Sequence, residues 1–588
     1  MTPPPWAVRV AHLAVAVGLL FVLLAGRLWS LQAIQGPYYR DLSEQNRIRD
    51  FVVPAPRGVI YDRRGQPLIS NRAAFTVSVL PMEVRQPARL ADALAPVLGI
   101  DREEIMTKIG AGRRRPFEPV PLRRDVGKTV VLTIEENRLD LPGVVIQAEP
   151  VREYLHGHLA AHALGYLGEI TEEELRVKPG YRAGDLIGKT GIERVYDAVL
   201  RGTPGRLRVE VDAAGRPRRV LERQPAKPGQ SLVVNLDATL QAVAEQQLAG
   251  KVGAVVAMDP RTGEILALAS SPTYDPALFA GGISAANWRR LTGDRRLPLL
   301  NRATEGTYEP GSVFKIVTGL AALSTGVANR HSIFHCTGAL VLGRWVFRDL
   351  AAYGTVNFIR GTQVSCNVMF WTLGRGVGPD RLSRYARGLG LGQVTGIDLA
   401  AEAPGSIPDP EWKQRTWKEP WYPGDTLNMA IGQGFVLTTP LQIARMVSAV
   451  ANGGTLYKPR LARKVLAPDG TEVMTFAPDG APWNVDVPAS ALATLRDGLR
   501  AVVAGGTGTG AAVEGLDMAG KTGSAENPRG RPHAWFAGYA PADRPALVVI
   551  AFIEHGYRGG ITAAPIVKAV FEAAKPALVA PVTGQVRP

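Results

Sequence analysis

Pro310-Gly311-Ser312-Val313-Phe314-Lys315-Ile316-Val317, continued by Leu320 and Leu323, is the stretch from which the rest of the chain is read. Pro310 and Gly311 end what precedes them, and the apolar residues after Lys315 recur at helical spacing, so an apolar helix opens with Ser312 at its start. Residues three apart share a helical face, so a Lys315 amine can reach a Ser312 hydroxyl, while free N–H groups of the first turn favour negative charge. Burial would lower the lysine toward neutrality, as general-base work on a serine nucleophile requires. Alone, the pattern reads better as a capping serine beside a surface lysine.

Two further motifs decide between those readings. Ser365-Cys366-Asn367 precedes Val368-Met369-Phe370-Trp371 and places polar side chains between helical segments. Lys521-Thr522-Gly523, followed by Ser524, Ala525 and Glu526, reads as a strand whose glycine lets a ligand approach the backbone, with a lysine and hydroxyls suited to a carboxylate. Around them, Leu232-Val233-Val234 is strand-like, 238–248 is helical, and 253–258 with 264–269 form a hairpin about Pro260-Arg261-Thr262-Gly263. Residues 535–539 and 546–553 read as late strands, and 564–574 as the last helix. Strands at both ends of a helical segment predict one α/β domain, about 230–579, whose sheet is closed by its own termini.

Upstream, 35–71 reads as strands and turns, 88–98 and 134–139 as helical, and the arginine- and proline-rich 112–125 as irregular. The region to about Gly229 is mixed and elongated, a pedestal rather than a second large core. Residues 10–26, between Arg9 and Arg27, are apolar apart from His12 and are flanked by Trp6 and Trp29, which suits one spanning helix. No small-x-small cleavage site precedes the polar segment, so an anchor is favoured over a removed signal peptide. Arg9 against Arg27, Arg40 and Arg47 leaves the orientation undecided.

At 588 residues the chain holds several folding units, and its net charge of +15 invites a nucleic-acid reading. No zinc-finger spacing or basic-aromatic RNA signature supports that reading, and an anionic membrane or acidic polymer fits as well. Cys336 and Cys366 are the only cysteines, which excludes a disulfide framework; separate buried thiols are favoured, with a single bridge left open. Gly515-Leu516-Asp517-Met518-Ala519-Gly520-Lys521-Thr522 matches the phosphate-binding G-x-x-x-x-G-K-T, but Gly523, Pro528 and Gly530 deny it the following helix. Residues 184–190 are one residue short of the same pattern and read as a turn. His158 and His162, with His156 nearby, lack a Cys or Glu partner and read as structural. There is no G-x-S-x-G, and His331, His335, His533 and His555 sit in no recognisable frame for a histidine base.

The ordered set S-x-x-K, S-x-N and K-T-G resembles the penicillin-binding proteins, a pattern shared with serine β-lactamases. Arg57-Gly58-Val59-Ile60-Tyr61-Asp62-Arg63, the stretch 156–168 and Gly188-Lys189-Thr190-Gly191-Ile192-Glu193 resemble the pedestal of class B members, so the likeness covers nearly the whole chain. The run 412–442, with Gly424-Asp425-Thr426 and Ile431-Gly432-Gln433-Gly434, is more similar to the elongation-type penicillin-binding protein 2 than to the division-type protein 3.

The resemblance implies an α/β transpeptidase domain, an antiparallel sheet flanked by helices, with an elongated α+β pedestal and one N-terminal transmembrane helix. The divisions are 1–30 for the stub and anchor, 31–229 for the pedestal, 230–579 for the transpeptidase domain and 580–588 for a tail. It implies peptidoglycan D,D-transpeptidation: Ser312 as nucleophile, Lys315 as base, Ser365 and Asn367 as relay and positioning groups, and Lys521, Thr522, Gly523 and Ser524 holding the substrate carboxylate. The N–H groups of Ser312 and Ser524 would form an oxyanion hole. Implied partners are D-Ala-D-Ala stem peptides with an amine acceptor, β-lactams, and a polytopic glycosyltransferase of the RodA type, since no glycosyltransferase-like region lies before Ser231. The catalytic domain would lie outside the cytoplasmic membrane. No cofactor is expected. For some relatives the resemblance implies a metal held by aspartate, histidine and cysteine; here Asp349 is present but Tyr353 stands in the histidine position, so no metal is expected. A division-type enzyme, a D,D-carboxypeptidase and a non-catalytic scaffold or β-lactam sensor are the alternatives.

Overall fold

The structure is a computed structural model that describes residues 4–39, 48–113, 116, 118–211, 217–527 and 530–579. The expected tail 580–588, Arg40, Arg47 and part of 112–125 lie outside the described residues. At the N-terminus the apolar run forms the helix Pro5–Trp29, continued by a π-helical turn Ser30–Ile34. Its 25 residues reach roughly 37 Å, against a hydrocarbon core of about 30 Å. Its apolar window is unburied among the described residues, and the helix is long and apolar enough to cross a membrane.

The pedestal is built on the long antiparallel pair Pro67–Val79 and Val144–Tyr154. Where irregular chain was expected over 112–125, Val120–Val126 is a strand pairing with Phe75–Val79. It lies at the edge of its sheet, where Pro121 costs no ladder bond on its outer side. The expected helices lie at Pro87–Leu98 and Lys128–Glu136, and the second begins earlier than its apolar pattern suggested. Residues 184–190 hold the short strand Leu186–Gly188 rather than a simple turn.

The two halves of the chain share a sheet. Ser231–Val234 runs parallel to Ile60–Tyr61 of the pedestal and antiparallel to Ala462–Leu466 of the catalytic half. Gly58 explains itself at this seam, because a Cβ there would lie 1.7 Å from Gln230 O. Next to it Arg57 donates to Glu193 and Asp197, both at 2.9 Å, and Arg152 donates to Glu193 at 2.6 Å and to Gly58 O at 2.8 Å. All four side chains are buried, so removing one would strand the others as uncompensated charges, at a cost of roughly 3–5 kcal/mol.

The catalytic half is organised by a five-stranded antiparallel sheet in the order Ile265–Ser271, Gly253–Met258, Leu547–Ile553, His533–Ala540, Ala519–Ala525. The first two strands form the expected hairpin, and the late strands close on it from the far end of the chain. Alternate residues face opposite layers. Val255, Ala257, Val549 and Ala551 pack with Leu240, Val567 and Phe571 of the helices Ala238–Leu248 and Gly559–Val579. Val256, Ile550 and Phe552 face the layer that holds Val313, Phe314 and Val317. Burial on both faces accounts for continuous apolar runs such as Leu547-Val548-Val549-Ile550.

His162 sits at the pedestal's contact with the catalytic half, with Nε2 2.8 Å from Pro298 O and its ring edge-on to Tyr274. Burial lowers its pKa from 6.5 to about 4. The unfolded chain binds this proton near 6.5, so the histidine's contribution is complete above pH 6.5 and is lost as pH falls toward 4. Urea unfolding at pH 7 and pH 4.5 should show the wild type losing roughly 2–3 kcal/mol more than His162→Gln; equal losses would contradict this reading.

Candidate active site

Ser312 lies on a 3-10 turn, Gly311–Phe314, that runs directly into the helix Lys315–Ser324. Gly311, at φ +52°, donates its N–H to Gly432 O at 2.9 Å, and Trp535 Nε1 holds Glu309 O at 2.9 Å. The turn is thereby pinned on both sides. Ser312 is half-buried, whereas Lys315, one turn on, is only 1% exposed.

Ser365 follows the short helix Phe358–Gln363 and precedes the helix Asn367–Val377, the interhelical position its sequence suggested. Its φ of +59° is unusual for a residue with a Cβ and costs on the order of 1–3 kcal/mol. In that conformation both its carbonyl and its hydroxyl meet Lys315: Nζ donates to Ser365 O at 2.7 Å, to Ser365 Oγ at 3.1 Å and to Asn367 Oδ1 at 2.6 Å. All three amine donors are thus engaged, and among the described residues the Ser312 hydroxyl has no hydrogen-bond partner. The expected direct Lys315–Ser312 bond is therefore not made in this state; catalytic hydrogen bonds commonly tighten only when substrate binds.

Lys521 comes from the opposite wall. It lies on the edge strand Ala519–Ala525, and its Nζ donates to Ser365 Oγ at 2.8 Å and to Thr522 O at 3.1 Å. Two amines therefore converge on one hydroxyl oxygen. Burial lowers Lys315 from 10.5 to about 7, with Asp349 pulling weakly the other way. Burial, followed by the charge of Lys315, lowers Lys521 well below its ordinary value.

Gly523 is needed where the edge strand meets the Ser312 turn. A Cβ there would lie 2.9 Å from Pro310 O and from Trp535 Cβ, and 3.0 Å from Val313 Cγ2. Thr522 Oγ1 is 2.7 Å from Thr507 Oγ1, and Ser524 Oγ accepts from Gly559 N at 3.3 Å. The Gln433 amide, oriented to satisfy both ends, pairs with Glu526 O and N at 3.3 and 3.2 Å. An edge strand keeps one row of backbone groups open, a surface to which an extended peptide can add. The strand is also what defeats the phosphate-loop pattern: Lys521 and Thr522 sit inside it, not at a helix start.

Cys336 and Cys366 form a disulfide, correcting the expectation of separate thiols. The spacing in sequence concealed that the strand Ile333–Cys336 lies against the start of the helix Asn367–Val377. Closing the intervening 30 residues restricts the unfolded chain by roughly 3.5 kcal/mol. Asp349, between the two cysteines, accepts from the N–H groups of Asn367 and Val368 at 2.6 and 3.2 Å through Oδ2, and from Leu350 N at 2.7 Å through Oδ1. Among the described residues no three His, Cys, Asp or Glu side chains cluster as metal ligands. Thr507, Gly559 and the backbone role of Asp349 were not singled out from the sequence. No local motif marks them, because each acts across the fold.

A half-buried serine at a helix start, a buried amine near neutrality, a second amine on the same hydroxyl oxygen and an open strand edge suit the chemistry of an active-serine acyltransferase. The penicillin-binding protein transpeptidase domain matches residues 253–572, and the penicillin-binding protein dimerisation domain matches 52–234. The chain belongs to the penicillin-binding proteins, with the class B layout of a pedestal before a transpeptidase domain. It is 36% identical to the peptidoglycan D,D-transpeptidase MrdA of Acinetobacter baumannii, over 95% of this chain and 86% of that one. PBP2 from Helicobacter pylori, solved in complex with MreC, superposes with a TM-score of 0.77 at 26% identity, covering 90% of this chain and 99% of that one. A chain of a peptidoglycan synthase complex that coordinates polymerization and crosslinking superposes at 0.70 with 33% identity, covering 99% and 100%.

Gly523→Ala should separate the edge strand from the Ser312 turn. Acylation by a fluorescent penicillin is expected to slow at least roughly tenfold with far-UV circular dichroism unchanged. A rate equal to wild type would contradict the close approach.

Proposed function

We propose that this chain is an anchored, elongation-type peptidoglycan D,D-transpeptidase in which Ser312 forms the acyl-enzyme and Lys315 is the base. The observation that carries the reading is the convergence of Lys315 and Lys521 on Ser365 Oγ beside Ser312. With Lys315 held near 7, a large share of the amine is unprotonated at neutral pH and has a lone pair to offer.

The stem peptide's terminal D-Ala-D-Ala lies along the open edge of the strand Ala519–Ala525, its carboxylate toward Lys521, Thr522 and Ser524. Ser312 Oγ attacks the penultimate carbonyl as its proton passes to Lys315. The N–H groups of Ser312 and Ser524 hold the oxyanion. Collapse breaks the amide C–N bond, and the proton reaches the departing D-alanine amine through Ser365. An amine of a neighbouring stem then attacks the ester, forming the cross-link and returning the proton to Ser312. Asn367 orients Lys315 and the substrate amide. A β-lactam presents its strained amide in the same place and stops at the acyl stage.

The chain divides into anchor and stub 1–30, pedestal 31–229, transpeptidase domain 230–579 and tail 580–588, with Ser231–Val234 joining the middle two. The apolar helix Pro5–Trp29 holds the protein in the cytoplasmic membrane, and both folded domains lie on its outer face, where the polymer is. The match over 99% of this chain to a subunit of a synthase complex supports pairing with a polytopic glycosyltransferase of the RodA type. The relative solved with MreC supports assembly with a protein of that kind.

Ser312→Ala should abolish covalent labelling by fluorescent penicillin in membranes while leaving the protein folded. In the wild type, protonation silences the base, so the acylation rate should fall about tenfold per unit below pH 7 and level off above it. Labelling that survives Ser312→Ala, or a rate flat from pH 5 to 8, would remove this reading.

A further inference from the structure

Between the strand Ile333–Cys336 and the middle motif the chain makes an excursion, 337–357, that contributes no side chain to the three motifs. It carries a hairpin, Ala339–Leu342 with Trp345–Arg348, and returns by Gly354–Asn357 to pair with Ile333–Cys336. Two attachments bring it back to the active site, on adjacent residues. The Cys336–Cys366 bridge grips the residue between Ser365 and Asn367. Asp349 Oδ2 takes the N–H groups of Asn367 and Val368, the first turn of the helix that begins there.

Backbone N–H groups at a helix start have no partner within the helix, and a carboxylate is their strongest external acceptor. Asn367 is thus held from behind through its backbone while its side-chain Oδ1 holds Lys315 Nζ at 2.6 Å. Ser365 is held on the other side of the bridged Cys366, whose own N–H bonds Gly361 O at 2.9 Å. Its left-handed backbone is unfavourable in isolation and persists only where neighbours determine it.

We propose that Asp349 is a positioning residue for the transpeptidation proposed above: carried on an excursion that the Cys336–Cys366 bridge locks in place, it sets Asn367 and Ser365 against Lys315. The carboxylate acts through two backbone donors and touches neither substrate nor the reacting serine. The charged and titratable groups around the Lys315 amine are Lys521 on the sheet edge and Asp349 on the excursion, with Tyr353 close to Asp349. Of these, Asp349 is the one that favours the protonated amine. Its charge therefore has a kinetic signature separate from its hydrogen bonds.

The test is stopped-flow acylation by a fluorescent penicillin, across pH, on the detergent-solubilised full chain. Asp349→Asn preserves the shape and removes the charge, so the acid limb of the rate profile should move to lower pH by roughly a few tenths of a unit or more. Asp349→Ala should cut the limiting acylation rate at least roughly tenfold while the affinity of the preceding non-covalent complex stays within about twofold. The Cys336→Ala, Cys366→Ala double variant should slow acylation with the midpoint of the acid limb unmoved. A purely structural aspartate would lower melting temperature and active fraction without moving that midpoint. An unmoved midpoint in Asp349→Asn together with a wild-type rate in Asp349→Ala overturns the proposal, and a wild-type rate in the double variant overturns the part given to the bridge. Failure of the wild-type chain to acylate would instead overturn the proposed function, and this inference with it.

Discussion

Two buried lysine amines, Lys315 from the helix that follows Ser312 and Lys521 from the sheet edge, donate to the single hydroxyl oxygen of the half-buried Ser365. Burial disfavours the ammonium form of each, and for Lys521 the charge of Lys315 adds to burial. Burial leaves Lys315 an amine near neutrality one turn from Ser312, with Ser365 and Asn367 as its hydrogen-bond partners. Every other feature of the catalytic half serves to bring three distant segments to that oxygen.

The sheet does most of this. Because its hairpin Gly253–Met258 and Ile265–Ser271 is completed by strands from the far end of the chain, Ala519–Ala525 becomes an edge facing the nucleophile's turn. Gly523 sets how closely the two can approach, and Gly311, bonded to Gly432, fixes the turn's other side. The pedestal is not an appendage to this arrangement. Its strand Ile60–Tyr61 pairs in parallel with Ser231–Val234, and the buried charges of Arg57, Arg152, Glu193 and Asp197 lie beside that seam.

Much of the architecture was legible in the chain. Periodicity located the hairpin, the late strands and the helix Ala238–Leu248, because these elements are buried on defined faces and their apolar spacing records it. The three motifs were legible as a set because their residue types are constrained by chemistry, and the structure brings Lys315, Ser365, Asn367 and Lys521 within hydrogen-bond reach of one another. What escaped was non-local. Val120–Val126 is an edge strand that Pro121 and its arginines disguised, and the disulfide depends on a strand packing against a helix start 30 residues away. Asp349 was read only as a metal-ligand candidate, since nothing in its neighbourhood announces that it caps the helix of the middle motif.

The central claim is that burial, not a neighbouring carboxylate, makes Lys315 a base at neutral pH, with Lys521 sharing the same oxygen. The most direct measurement is a heteronuclear NMR titration of lysine side chains in the soluble catalytic and pedestal portion, or in the full chain in detergent, with Lys315 assigned by its loss in Lys315→Arg. The account predicts a Lys315 midpoint near 7, far below the ordinary lysine value of 10.5. A Lys315 amine that stays protonated to pH 10 would contradict it.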